Sequence, residues 1–194
     1  MISDLHLHSR FSRACSKAIT IENLIKWAKI KGLGLLGTGD FTHPVWIKEI
    51  KEKLTDNGKG FYLDITTGFP FIITGEISLI YSQESENKEN SSRKGRRIHL
   101  LLLIPNLEIA EKVNSYFDKK GRRDYDGRPI FNISGEELVK DLMAISGDIE
   151  IIPAHIWTPW FGIFGSMSGF DSLKECFKGQ FEKIHAIETG MSSV

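Results

Sequence analysis

The sequence is poor in cysteine, has no long apolar run and carries no net charge, and each of these absences excludes a class of protein. Its two cysteines, Cys15 and Cys176, lie far apart and in no metal-binding spacing, which predicts a reducing compartment without disulfides or a zinc ribbon. No apolar run approaches the roughly 20 residues of a membrane span, and no secretory signal pattern precedes the first predicted strand. We therefore expect a cytoplasmic protein with no membrane partner.

Charge is balanced, with 25 Lys and Arg residues against 25 Asp and Glu residues. The chain therefore has no overall field that attracts nucleic acid, and binding of a polyanion depends on local patches. One basic patch either contacts DNA phosphates or is part of a solvated loop. It consists of Arg93, Lys94, Arg96 and Arg97.

Strand-like and helix-like segments alternate along the 194 residues, which predicts an α/β fold with a single domain over residues 1–194. Apolar strands in this pattern indicate parallel strands covered by helices, in an open sheet or a barrel. The predicted strands are 4–8, 33–37, two runs within 61–81, 98–104, 149–152 and 183–187; the predicted helices are 21–31, 44–54, 106–117, 134–145 and 171–177. Residues 83–97 are polar and are predicted to form a mobile surface loop.

The segment Asp4-Leu5-His6-Leu7-His8 is a candidate metal-binding element. In a β-strand alternate side chains share a face, so His6 and His8 would project together from the end of a buried strand. Imidazole suits zinc, iron and similar ions, and two neighbouring imidazoles can chelate one ion. The alternative is a chance pair on a solvated strand face.

Further polar side chains follow other predicted strands at their C-terminal ends, where function gathers in α/β folds. With His8 this group consists of Asp40, His43, Glu76, His155 and Glu188. His99 lies early in its strand, where a buried histidine needs a partner. Convergence of these groups on one rim predicts a metal site, with Glu188 as a supporting acid and His185 as a hydrogen-bonded structural histidine.

The order of these motifs, and four longer stretches, carry a resemblance to a known family. The stretches are His-Ser-Arg-Phe-Ser at 8–12, Gly-Thr-Gly-Asp-Phe-Thr-His-Pro at 37–44, Thr-Gly-Glu-Ile-Ser at 74–78 and Ile-Glu-Thr-Gly-Met-Ser-Ser at 187–193. In them the chain resembles the PHP (polymerase and histidinol phosphatase) superfamily and, more narrowly, the N-terminal PHP domain of endonuclease Q. The resemblance implies an irregular (β/α)7-type barrel and nicking of DNA on the 5′ side of deaminated bases or at abasic sites.

The resemblance also implies a cluster of two or three divalent metal ions, zinc, manganese or iron, with magnesium as an activating alternative. It implies that His6 and His8 bind one ion and that Glu76 bridges it to a second ion. His99 and His155 would complete the second site, and Asp40 or His43 would serve a third.

The family pattern continues past Glu188 into a strand with an Asp-X-His pair, and no such pair follows Glu188 in this sequence. We therefore expect the chain to be the front portion of a longer protein, with a barrel that is incomplete at its C-terminal end. An interrupted barrel exposes a sheet edge, and self-association over that edge is one way to cover it.

Phosphodiester hydrolysis by metal-activated water suits this set of ligands, because bound ions lower the pKa of water and stabilise both oxygens of an in-line displacement. The predicted catalytic residues are Glu76, Asp40 and Arg10. Arg10 follows the histidine pair and would bind a phosphate oxygen; the alternative is a solvated loop arginine.

Aromatic rings alternate with glycines in the segment 157–170 directly after His155. A flexible loop of this kind could stack on an extruded base; the alternative is a hydrophobic lid on the barrel. The predicted substrate-binding rings are Trp157, Trp160, Phe161 and Phe164.

The sequence is consistent with three functions. The favoured one is an endonuclease whose partner is DNA containing damaged bases. The second is a small-molecule phosphomonoesterase of the histidinol-phosphatase type. The third is a catalytically inactive metal-binding fragment with a structural role.

Overall fold

The computed structural model describes residues 1–84, 93–167 and 169–190. They divide into two compact units: the first is Met1–Glu76 with Leu103–Pro129, and the second is Ile77–Leu102 with Ile130–Val194. In chain order the elements are β1 (Ser3–Asp4), α1 (Ile21–Lys31), β2 (Leu35–Gly37), α2 (Pro44–Lys53), β3 (Leu54–Asp56), β4 (Tyr62–Asp64), β5 (Pro70–Glu84), β6 (Arg93–Ile104), α3 (Leu107–Asp118), β7 (Ile130–Phe131), α4 (Gly135–Ile145), β8 (Glu150–Pro153), α5 (Leu173–Phe177) and a 3-10 helix (Lys178–Lys183). No helix within these described ranges is long and apolar enough to cross a membrane.

The first unit contains an open mixed sheet in the order β1-β2-β5-β4-β3. β1, β2 and the first part of β5 are parallel, as predicted from the alternating pattern. β3 and β4 form an antiparallel hairpin beside β5, which the sequence reading did not predict. Gly58 and Gly60 have positive φ in the connecting turn, a conformation that glycine adopts without strain.

Local sequence signals predicted both ends of α1 correctly. Thr20 caps α1 by accepting a hydrogen bond from the Asn23 amide, and Gly32 ends the helix with φ of 71°. Trp27 is 56% exposed. The buried face of α1 is formed by Ile21, Ile25 and Ala28.

The first strand is shorter than predicted, because regular pairing ends at Asp4 and both histidines lie in the extended segment beyond it. The backbone of this segment packs directly onto two glycines. A Cβ on Gly37 would overlap the carbonyl oxygen of Leu5, and a Cβ on Gly39 would overlap that of Leu7. This close approach fixes the segment that carries the His-X-His pair without β-ladder pairing.

The second unit contains the later part of β5, parallel to β7, and β6 paired with β8. The loop predicted for 83–97 is wrong at both ends, since residues up to Glu84 belong to β5 and residues from Arg93 belong to β6. Its middle, residues 85–92, lies outside the described residues.

The strand predicted for 183–187 is also wrong. Lys178–Lys183 forms the 3-10 helix, and residues 184–190 have no regular structure. Glu188 still lies along β8, because its amide donates to Pro153 and its carbonyl accepts from Ile156, each at 3.0 Å. Closure of a (β/α)7 barrel stays a prediction.

Candidate metal centre

The first unit brings three predicted ligands together. His6 Nε2 lies 3.5 Å from Glu76 Oε1, and His8 Nε2 lies 3.2 Å from Glu76 Oε2. The two imidazole rings are 5.7 Å apart, and one ligand atom from each of the three residues lies within 4.8 Å of the other two. Two imidazoles and a carboxylate at these distances form a group that could bind a divalent metal.

Asp40 holds His8 in this group. Its Oδ1 lies 2.9 Å from His8 Nδ1, and its Oδ2 accepts hydrogen bonds from the Ser9 amide at 2.6 Å and from Ser12 Oγ at 2.8 Å. A carboxylate on Nδ1 fixes the ring so that Nε2 faces Glu76, which is the usual arrangement behind a metal-ligating histidine. The structure thus places Asp40 behind His8. Binding of a third ion by Asp40 stays a prediction.

Two buried carboxylates make this site electronegative. Burial alone would lower the pKa of His8, but hydrogen bonds to Asp40 and Glu76 raise it to about 9. Binding of a divalent cation by His8 would displace this proton, because a ligating imidazole must be neutral.

Arg128 also contacts Glu76, and the sequence did not predict this contact. Its Nη1 donates to Glu76 Oε2 at 3.0 Å. The basic, glycine-bearing stretch before Pro129 was the available signal, but nothing local indicated which arginine reaches the site.

Two predicted site residues have other partners in the first unit. Arg10 Nη2 lies 2.5 Å from Glu49 Oε2, so this guanidinium pairs with a carboxylate of α2. His43 caps α2 by accepting from the Val45 amide at 3.3 Å, its ring stacks on Phe11 at 4.1 Å, and burial lowers its pKa. Their predicted roles, at the phosphate and at a third ion, stay predictions.

The second unit holds the other two predicted histidine ligands side by side. His99 Nδ1 lies 3.3 Å from His155 Nε2, and the two rings meet edge to face at 5.2 Å. Glu188 accepts a hydrogen bond from the His155 amide at 2.6 Å, while Thr158 Oγ1 lies 2.9 Å from His155 Nδ1. The bridging role of Glu76 toward this pair stays a prediction.

The aromatic segment after His155 is more tightly packed than its glycines led us to expect. A Cβ on Gly162, Gly165 or Gly169 would overlap backbone oxygen or nitrogen atoms of the same segment, so these glycines permit close packing instead of flexibility. Phe161 stacks on His99 at 4.2 Å, and the Phe164 and Trp157 rings are 5.3 Å apart.

Exposure distinguishes the four predicted substrate-binding rings. Trp157 is 55% exposed and Trp160 is 48% exposed, and the Arg97 guanidinium lies 5.3 Å from the Trp160 ring centre. Phe161 and Phe164 are less exposed. The two tryptophans are therefore the better placed of the four to meet a ligand.

Two other polar residues singled out from the sequence have structural partners. Arg96, in the basic patch, is buried, with Nη2 2.5 Å from Glu175 Oε1 and its guanidinium over the Phe170 ring at 4.1 Å. His185 is hydrogen-bonded to Glu150, as predicted, but it is exposed and lies outside any strand.

No protein-family model matches the chain. Two solved structures superpose on 99% of it. One is a lesion-specific endonuclease from Pyrococcus furiosus, PfuEndoQ, with a TM-score of 0.79 and 31% sequence identity. The other is endonuclease Q in complex with a 27-mer duplex substrate that has an abasic lesion at the active site, with a TM-score of 0.80 and 32% identity. The chain has an endonuclease Q-like fold.

The endonuclease Q-like fold confirms the expected similarity, but the chain covers only 42% and 43% of those two structures. A curated relative, an uncharacterized protein of Methanocaldococcus jannaschii, is 35% identical over 157 residues, which is 80% of this chain and 16% of the relative. The chain thus spans less than half of the endonuclease Q structures and about a sixth of this relative. Membership of the PHP superfamily stays a prediction.

Proposed function

We propose that this chain is the metal-binding part of an endonuclease that hydrolyses phosphodiester bonds in DNA with deaminated bases or abasic sites. The observation that carries the proposal is the His6, His8 and Glu76 group, with Asp40 fixed behind His8. The similarity to lesion-specific endonuclease Q supports DNA as the substrate.

The three residues of this group would hold one divalent ion. His99 and His155 would offer two imidazole ligands to a second ion. Zinc, manganese and iron suit a set of imidazole and carboxylate donors. When bound, such an ion supplies activated water and stabilises charge on the phosphoryl oxygens. The chain's own part is to hold His8 with Nε2 toward Glu76 and to keep the Glu76 carboxylate buried.

The exposed rings of Trp157 and Trp160 are the proposed contacts for a base that has left the duplex stack. Base–aromatic stacking tolerates any sequence, which suits recognition of a lesion by its extruded nucleotide. Arg97, beside Trp160, adds a positive charge toward the phosphate backbone.

The test measures metal per chain by elemental analysis and nicking of duplexes that contain uracil or an abasic site. The variants are His6→Ala and, as a matched control, His185→Ala, which removes an exposed histidine away from the group. We expect metal in the wild type and the control, a loss of at least one ion in His6→Ala, and nicking that follows the metal content.

A wild type without bound metal contradicts the proposal. A metal-loaded chain that hydrolyses p-nitrophenyl phosphate but no duplex contradicts it in favour of a phosphomonoesterase. A metal-loaded chain inactive on both substrates contradicts it in favour of a structural metal-binding fragment.

A further inference from the structure

The guanidinium of Arg128 lies against the carboxylate that completes the candidate metal centre. Arg128 Nη1 and His8 Nε2 approach the same oxygen, Glu76 Oε2, at 3.0 and 3.2 Å. The Glu76 side chain is 1% exposed, whereas that of Arg128 is 33% exposed. Arg128 therefore connects the buried ligand carboxylate with solvent.

The backbone that carries Arg128 is fixed to the same site. The Arg128 amide donates to Asp126 Oδ1 at 3.0 Å, and the Gly127 amide donates to the Phe11 carbonyl at 3.2 Å. A Cβ on Gly127 would overlap the Asp40 carboxylate, so this backbone runs directly over the group that orients His8. The position of Arg128 is therefore set by the site itself.

We propose, on the basis of the function proposed above, that Arg128 binds the substrate's phosphate, the role that the sequence alone assigned to Arg10. The Arg10 guanidinium is already paired with Glu49. A guanidinium has five N–H donors, and the contact of Arg128 with Glu76 is made through Nη1. The planar fork of these donors matches phosphate oxygens.

The positive charge of Arg128 should affect the affinity for metal and the affinity for phosphate differently. A divalent cation held by Glu76 would be repelled by the neighbouring positive guanidinium, so Arg128 should oppose metal binding as long as no anion is present. A phosphate attracts both the ion and the guanidinium, so Arg128 strengthens anion binding. Removal of Arg128 should therefore change the two affinities in opposite directions.

The test uses the 194-residue chain with Mn²⁺ and inorganic phosphate as probes. The variants are Arg128→Ala, Arg128→Lys and, as a matched control, Arg122→Ala, which removes an exposed arginine paired with Asp124. Calorimetric titration gives the Mn²⁺ affinity, and broadening of the phosphorus NMR signal by bound Mn²⁺ gives the phosphate affinity. Circular dichroism checks that each variant is folded.

We expect Arg128→Ala to bind Mn²⁺ about 3- to 10-fold more tightly, because a like charge has been removed. We expect it to bind phosphate about 10- to 100-fold more weakly, the factor for a hydrogen bond between charged groups. Arg128→Lys keeps the charge but not the fork, so only its phosphate affinity should fall. Arg122→Ala should resemble the wild type.

If Arg128→Ala binds both Mn²⁺ and phosphate more weakly than the wild type, Arg128 has a structural role. If neither affinity changes, Arg128 takes no part in binding. Either result overturns the inference. Wild-type chain that binds Mn²⁺ but no phosphate overturns it as well. Wild-type chain that binds no Mn²⁺ overturns the proposed function and the inference together, so the two failures are distinguishable.

Discussion

Asp40 Oδ1 lies 2.9 Å from Nδ1 of His8, and the Asp40 carboxylate is completely buried. Such a contact sets both the tautomer and the orientation of the imidazole, so Asp40 would position His8 as a metal ligand without itself contacting the metal.

Asp40→Asn keeps the shape of the side chain but removes its charge. We expect the variant to bind zinc or manganese about 10- to 100-fold more weakly than the wild type, the usual effect of losing a partner behind a ligating histidine. Calorimetric titration of folded protein measures this affinity. Asp148→Asn, at an exposed aspartate, is the control, and equal affinities of Asp40→Asn and wild type would exclude the orienting role.

Gly127→Ala should destabilise the first unit. A Cβ at this position overlaps the Asp40 and Ser12 side chains, and overpacking of this kind costs about 1–3 kcal/mol. Urea unfolding monitored by circular dichroism gives the change in free energy. Gly147→Ala is the matched control because a Cβ there meets no atom within 4 Å, and a similar stability of both variants would sink the prediction.

The two cysteines should differ in reactivity toward Ellman's reagent. Cys176 is completely buried with Sγ 3.8 Å from Tyr81 Oη, and burial raises the pKa of its thiol, so little thiolate is present or accessible. Cys15 is partly exposed. We expect one thiol to react in the folded chain and the second only after unfolding in urea; two equal rates would contradict the buried site.

Stability should also fall in alkaline solution because of Cys176. In the unfolded chain this thiol loses its proton near its ordinary pKa of 9.0, whereas the folded chain retains the proton to higher pH. The unfolded state therefore binds fewer protons above about pH 9, and the free energy of unfolding decreases as the pH rises through that range. Below about pH 9 the contribution of the neutral thiol is complete.

The comparison is between the wild type and Cys176→Ala, with Tyr81 present in both. Between about pH 8 and 10 the free energy of unfolding should decrease more steeply for the wild type, because only it carries the buried thiol. Urea unfolding at several pH values provides both profiles, and parallel profiles would show that Cys176 does not contribute.

The sequence predicted features that depend on neighbours along the chain. The helices predicted for 21–31 and 134–145 are present as Ile21–Lys31 and Gly135–Ile145, because the caps Thr20, Gly32 and Ser134 are signals that require only a few consecutive residues. The approach of His6 to His8 was also predicted, since side-chain alternation in an extended segment is local.

Features that depend on distant parts of the chain were not predictable in this way. Arg128 reaches Glu76 across 52 positions of sequence, and Arg10 finds Glu49 across 39. Residues 183–187 were predicted to form a strand because the run is partly apolar. In the structure, backbone hydrogen bonds hold the following residue, Glu188, beside the end of β8 without forming a β-ladder. The compactness of the aromatic segment likewise follows from backbone contacts that composition does not reveal.

Asp40 adopts a left-handed conformation, with φ of 46°. Its side chain lies directly against Gly127, and the preceding residue, Gly39, lies directly against the Leu7 backbone. The position of the candidate metal centre therefore depends partly on two glycines, which have no side chain that could bind a metal. A search for proteins with the same centre should require these two glycines as well as the histidines, and a library that randomises only the ligands would leave the determinants of their placement untouched.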